Sequence, residues 1–502
     1  MAAIAAGLAL ALAATTPAVA APARGGEFRP GAAGVGDPYF PTYGNGGYDV
    51  KHYDLNVRYQ PSNDELTGRA VVSARATQNL SRFNLDFVGL TIDGLWVNGK
   101  RADYTREGNE LVITPRRGLK RGHGFTVKVE YHGVPTTFII PGFNLEAGFM
   151  HTDDGAVVAG QPEVAAAWFP VNDHPLDKAT YSFAVTVPEG LEAISNGIPL
   201  GSRTKDGWTT WRYYEPTPMI SYLATATIGQ FRMSITRHNG KPMVIAIDEA
   251  LPAGLADDAL ARTGEITDFL AGKYGRYPFK SNGGIVDANP NLRFALENQT
   301  RTVYSRFFFN PGTTTGETYV VAHEIAHQWF GDSIGVRHWK DLWLNEGFAT
   351  YAEWLWSEHL NEGTPQEIFD FYYQQPLTAD YWSPPPGDPT AEDLFDDSVY
   401  TRGAMTLHAL RMTVGDDDFD RIVRTWYARN RNGNGSTSEF IRLAERISGQ
   451  DLDALFQAWL FTETKPAYPV GMSASASSGG RPLSLRSATE LPYFSVPHGH
   501  RH

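Results

Sequence analysis

"VVAHEIAHQWFGD", residues 320–332, sets two histidines and a glutamate within five positions of an apolar run. On a helix, positions i and i+4 lie one above the other, so His323 and His327 point the same way. Two imidazoles at that spacing suit two corners of a tetrahedral Zn²⁺. Glu324 sits about 100° further round the helix, poorly placed to ligate alongside both histidines but close to a reacting water. That placement suits a general base. The motif alone also admits a blander reading, two histidines satisfied on a helix face.

A third ligand decides between the two. Eighteen residues separate His327 from Glu346, which lies in "DLWLNEGFATYAEWLW" (341–356). A second predicted helix starts near Asn345, so Glu346 stands in its first turn among apolar and aromatic neighbours. A lone buried carboxylate there is expensive, and a cation removes the cost. His323, His327 and Glu346 around one Zn²⁺ per chain, with a fourth position open, is the layout of a hydrolytic site rather than a closed structural one. Glu353, seven residues further along the same face, is placed to orient one of the histidines.

Working outward, the pattern on the N-terminal side is strand-like. Tyr53, Leu55, Val57 and Tyr59 alternate with polar residues, as do Phe125, Val127, Val129 and Tyr131, with Asn-Gly turns between such runs. After about residue 250 the period becomes helical, and Ser436 with Glu439 forms a capping-box signature. The predicted architecture is multidomain α+β. An all-β domain covers 46–233 and a mainly helical catalytic domain 234–469, with a flexible Gly/Pro-rich lead-in over 21–45 and a disordered Ser/Gly-rich tail over 470–502. Residues 1–20 read as a signal peptide, because an Ala/Leu run ends in Ala18-Val19-Ala20, although no Lys or Arg precedes Arg24. Secretion is the expected localisation.

The chain of 502 residues carries a formal charge of −13. That argues against nucleic acid or an anionic membrane surface as partner, since either favours a basic face. No stretch reaches the ~20 apolar residues of a spanning helix. With no cysteine there is no disulfide, thiol nucleophile or thiolate metal site.

HEIAHQWFGD, eighteen residues and WLNEGFA together resemble the aminopeptidase N family of gluzincin zinc metallopeptidases. "WFPVNDHP" (168–175), "KYGRYPF" (273–279) and "SVYTRGA" (398–404) resemble further segments of that family in the family's order, so the likeness spans about 45–466. The resemblance implies a thermolysin-like catalytic domain and an aminopeptidase acting on peptides with a free N-terminus. It makes Tyr400 the oxyanion donor and gives Arg402 a position where the family often has lysine. It also assigns Glu297, in "FALEN" (294–298), and Glu163, in "GQPEVAAAWFP" (160–170), to the substrate's α-ammonium. Two close carboxylates repel unless a cation lies between them, which gives exopeptidase specificity a physical cause. Phe294 and Leu296 depart from the Gly and Met of the family's G-A-M-E-N loop, so the loop path and first-residue pocket are expected to differ. Two rivals stand beside this reading, an epoxide hydrolase of the same family and a non-catalytic zinc-holding peptide-binding module. Long members carry a further C-terminal superhelix over the site, so a more open cleft is expected here.

Overall fold

Burial alternates along Tyr48–Gln60 and Lys178–Pro188, and these two strands pair in parallel with Leu55 opposite Phe183. In the computed structural model, which describes residues 26–140, 145–309, 316–376, 378, 380–469 and 482–488, they form the middle of an eight-stranded sheet. A second, five-stranded sheet holds Ala156–Ala159 and Ala226–Gly229, both buried throughout, and a three-stranded sheet holds Phe83–Asp86. The expected signal peptide at 1–20 lies outside the described residues.

The second half is less purely helical than its periodicity suggests. It opens on a mixed five-stranded sheet in the order Phe231–His238, Lys241–Asp248, Asn282–Asp287, Thr302–Ser305, Ala295–Leu296. The expected boundary at 233/234 falls inside its first strand, whose partner is Lys241–Asp248. The two-residue edge strand Ala295–Leu296 is too short to show a period, and it ends at the position that delivers Glu297.

Helices α1 (Leu255–Ala261) and α2 (Thr263–Tyr274) lead from the second strand of this sheet to the third, and α3 (Gly316–His327) carries both histidines. Helix α4 (Trp343–Leu360) carries Glu346 and Glu353; α5 (Pro365–Gln374) and α6 (Gly403–Val414) follow. Just beyond α3, Phe330 stacks on Phe348 of α4 with centroids 4.1 Å apart. Gly347 makes the next contact: a Cβ there would stand 2.9 Å from the backbone of Gly403. Glycine at this position lets the start of α6 lie directly on α4. The wide turn Ser398–Arg402, which carries Tyr400, is thereby held beside Glu346. Buried Arg402 anchors the same turn by donating to the carbonyls of Trp459 and Ala458, each at 3.0 Å, and to that of Trp382. Among the described residues no helix is long and apolar enough to cross a membrane.

Two expectations need correction. Residues 26–45 are not a loose lead-in, because Asp37 is buried and its carboxylate accepts from the amides of Tyr39 (2.9 Å), Phe40 (3.1 Å) and Trp339 (2.9 Å). It also pairs with His174 at 3.3 Å, tying the segment to both halves of the chain. The glycines there serve close packing: Gly34 has φ +122°, and a Cβ would stand 2.0 Å from the Pro41 carbonyl oxygen. Of the expected tail, Leu483–Ala488 is a short helix with Leu485 buried, and the Ser484 amide donates to the Glu362 carbonyl at 3.3 Å. Residues 470–481 and 489–502 lie outside the described residues.

Candidate metal centre and its cleft

The last turn of α3 and the first turn of α4 bring three buried ligands together. Nε2 of His323 and Nε2 of His327 stand 3.3 and 3.2 Å from Oε2 of Glu346, and one ligand atom from each residue lies within 4.8 Å of the others. Ligands about 2.0–2.1 Å from a tetrahedral zinc are spaced about 3.3 Å apart, so the trio fits that ion. The outer ring nitrogens agree. Nδ1 of His323 lies 2.7 Å from Glu353 Oε1, and Nδ1 of His327 lies 3.0 Å from the Phe330 carbonyl oxygen. An Nδ1 proton donated to each acceptor leaves the Nε2 lone pairs facing Glu346. Burial opposes the charge on Glu346, yet His327 and His323 outweigh it when they carry a proton in the metal-free site and lower the pKa of the carboxyl.

Glu324 lies in the same cleft, and its Oε2 has no hydrogen-bond partner among the described residues. Burial pushes its carboxyl up to about 8, with His323 and His327 opposing and Glu297 and Glu346 adding to the rise. A carboxylate beside a reacting water can take its proton and return it. Glu297 reaches the site from the other side, off the edge strand. Carboxylate atoms of Glu297 and Glu324 lie within 4.8 Å of each other and of a His327 ring nitrogen, and the Tyr222 hydroxyl donates to Glu297 Oε1 at 2.7 Å. The Tyr400 ring lies 6.1 Å from that of His323 at a 19° interplanar angle. Burial, then Glu346, Glu297 and Glu324, keep the Tyr400 phenol protonated well beyond its ordinary range.

His323, His327, Glu346, Glu324, Glu297 and Tyr400 line one cleft of about 560 Å³, a volume that includes space open to solvent. Much of the remaining wall is apolar: Ile140, Phe294, Leu296, Phe308 and Phe395. Phe294, expected to alter the loop, is buried as part of that wall.

Glu163 is the site residue that the structure places elsewhere. Gln161 lines the cleft and Glu163 does not. The chain leaves strand Ala156–Ala159 in a bend over 161–163, so residues two apart no longer share a face as they would in a strand. Burial, then Asp173 and Glu110, push the Glu163 carboxyl up to about 9. A carboxyl raised in the fold costs stability progressively as pH climbs from its unfolded value towards its folded one. Glu163→Gln is therefore expected to raise the melting midpoint by about 3–6 °C more at about pH 8 than at about pH 5. KM for free-amine substrates should stay within about twofold of the parent. Thermal melts at the two pH values, with kinetics alongside, check both halves, and a large rise in KM would return Glu163 to the substrate.

Sequence reasoning missed Gln161, Tyr222 and Gln328 as neighbours of the site. Gln328 has a signal in its adjacency to His327, whereas Tyr222 lies 75 positions from Glu297 with no periodic relation to it.

Residues 49–223 match the Peptidase M1 N-terminal domain and residues 275–459 the Peptidase family M1 domain. An aminopeptidase N of Streptomyces lividans is 32% identical over 440 residues, covering 82% of this chain and 50% of the relative. A leucyl aminopeptidase of Saccharolobus solfataricus is 28% identical over 426 residues, covering 80% and 51%. The chain spans about half the length of the curated relatives it matches. The crystal structure of an M1 zinc metallopeptidase from Deinococcus radiodurans superposes with a TM-score of 0.78 at 29% identity, covering 88% of this chain and all of that one. Both domains of one family are thus matched in order along the chain, which belongs to peptidase family M1.

Proposed function

We propose that the protein is a zinc-dependent aminopeptidase that removes the first residue of peptides. The observation that carries this reading is the pair Glu297 and Glu324. Both are buried, their carboxylate atoms and the His327 ring nitrogen lie within 4.8 Å of one another, and both line the cleft that holds the metal trio. Such a pair calls for a cation between or beside its members, and a peptide's α-ammonium is one. The names of the relatives, aminopeptidase N and leucyl aminopeptidase, support the same reading, as does a mutant of the Deinococcus enzyme bound to a Tyr-Ser-Ala substrate.

His323, His327 and Glu346 would hold the zinc. When bound, the ion supplies Lewis acidity towards the scissile carbonyl and makes a water easier to deprotonate. Glu324 takes the proton of the attacking water on Oε2 and returns it to the leaving nitrogen. The Tyr400 hydroxyl donates to the carbonyl oxygen as negative charge develops there. Glu297 holds the ammonium, so the first peptide bond is the one presented to Glu324. Glu353 and the Phe330 carbonyl keep the imidazoles in the tautomer that ligation requires.

The test is a good peptide substrate with its N-terminus free or acetylated. Acetylation removes the charge that Glu297 reads and is expected to lower kcat/KM by about 10³-fold or more. Comparable cleavage of the blocked peptide would make the protein an endopeptidase. Zinc binding without turnover of either peptide would leave the binding-module reading.

A further inference from the structure

Glu297 can present the first peptide bond to Glu324 only if the strand-to-turn segment that carries it keeps its distance from α3. These elements are far apart in sequence and belong to different layers of the domain. Among the described residues, one buried side chain at the end of α3 hydrogen-bonds to that segment twice. Gln328, the residue immediately after His327, donates from Nε2 to the Glu297 carbonyl oxygen at 3.1 Å. Its Oε1 accepts from the Thr300 amide at 2.8 Å and lies 3.4 Å from the Tyr277 hydroxyl. One side-chain amide therefore bridges both ends of the 297–300 turn.

The outer side of that turn is held by the β domain. Asn298 donates to the Leu223 carbonyl at 2.9 Å, Asn196 to the Gln299 carbonyl at 2.8 Å, and the Gly197 amide to Thr300 Oγ1 at 2.7 Å. Those bonds set where the turn lies against the β domain but not how far Glu297 stands from the metal helix. Thr300 has φ +66°, a left-handed conformation that costs free energy for a β-branched residue and persists only where its surroundings impose it. Its amide donates to Gln328, its hydroxyl accepts from Gly197 and its carbonyl accepts from Arg301, and these contacts hold it there.

We propose that Gln328 is the positioning residue of the amine clamp, fixing the separation of Glu297 from the catalytic helix through its two hydrogen bonds to the 297–300 turn. This inference rests on the aminopeptidase reading above. Gln328 touches neither the substrate nor the metal in it. Its effect reaches the reaction through the place of one carboxylate, and a shift of about 1 Å there is worth on the order of 10²-fold.

The readout is the preference for an amino group, measured by calorimetric titration of the zinc-loaded full chain with L-phenylalaninol, which has no bond to hydrolyse, and with 3-phenylpropan-1-ol, its counterpart lacking the amine. Gln328→Met keeps the length and removes both hydrogen bonds. It is expected to reduce the preference by about tenfold or more, with binding of the amine-free alcohol and zinc content near those of the parent. Gln328→Leu removes the same two hydrogen bonds with a differently shaped apolar side chain, and it should lose preference as well. An unchanged preference in folded, zinc-loaded Gln328→Met overturns the inference. So does loss of zinc or of the fold in both variants, which would make Gln328 a structural residue at the end of α3. Glu297→Gln, titrated in parallel, separates the two levels. If that variant keeps the full preference for the amine, the aminopeptidase reading itself fails; if it loses the preference and the Gln328 variants do not, only the positioning role fails.

Discussion

Glu324→Gln is expected to lower kcat by about 10²–10⁴-fold while the protein still binds one zinc per chain. The substitution keeps the shape of the side chain and removes its ability to accept a proton. None of the three ligand atoms is touched, because the trio is His323, His327 and Glu346. The Oε2 atom of Glu324, with no hydrogen-bond partner among the described residues, faces the cleft rather than supporting the fold. The neutral amide keeps the shape of the buried side chain, so the variant should melt close to its parent. Metal analysis, thermal melting and single-substrate kinetics on the same preparation check the three statements together. Turnover within about tenfold of the parent would assign the proton transfer to another group.

Tyr400→Phe is expected to cost about 10²–10³-fold in kcat with little change in KM. The lost hydrogen bond strengthens only as charge develops on the carbonyl oxygen, so the ground-state complex is nearly unaffected. The ring stays in place in the variant: the turn is held by the contact of Gly347 with Gly403 and by the bonds from Arg402, neither of which involves the phenol oxygen. Burial and the surrounding carboxylates keep the hydroxyl protonated well above its usual range, so it remains a donor throughout the range in which the protein is assayed. The pH profile of the variant should therefore be lowered as a whole, with its limbs where the parent has them. A displaced alkaline limb, or a loss that falls on KM alone, would show that Tyr400 binds substrate instead of stabilising the transition state.

These predictions rest on residues of unequal visibility. His323, Glu324 and His327 are legible because a helix imposes its own geometry over four residues whatever surrounds it. Glu346 is legible from the cost of a carboxylate in an aromatic segment, and Glu353 from its place on the same helix face; Glu353 in fact lies 2.7 Å from Nδ1 of His323. The long strands Tyr48–Gln60 and Lys178–Pro188 show themselves by alternation over more than ten residues. The catalytic-half sheet does not, because Thr302–Ser305 and Asn282–Asp287 are short and buried throughout, which erases the period. Resemblance carried Glu297 to the cleft and Glu163 away from where it lies. A short match conveys position along the chain, while the bend over 161–163 decides which side chain turns inward.

By itself, then, the amino-acid order determined what local geometry and burial cost can determine: the grouping of His323, His327 and Glu346, the place of Glu324 beside them and the β-then-α order of the chain. The tertiary structure alone decided the matters that depend on separate segments meeting. Tyr222 supports Glu297, Gln161 rather than Glu163 lines the wall, Asp37 ties the lead-in to both halves, and Gln328 bonds the Glu297 turn to the end of the histidine helix. The physical reason is one of range. Helical periodicity acts over a few residues, whereas each of these contacts closes a long loop whose ends are brought together by the packing of the whole domain.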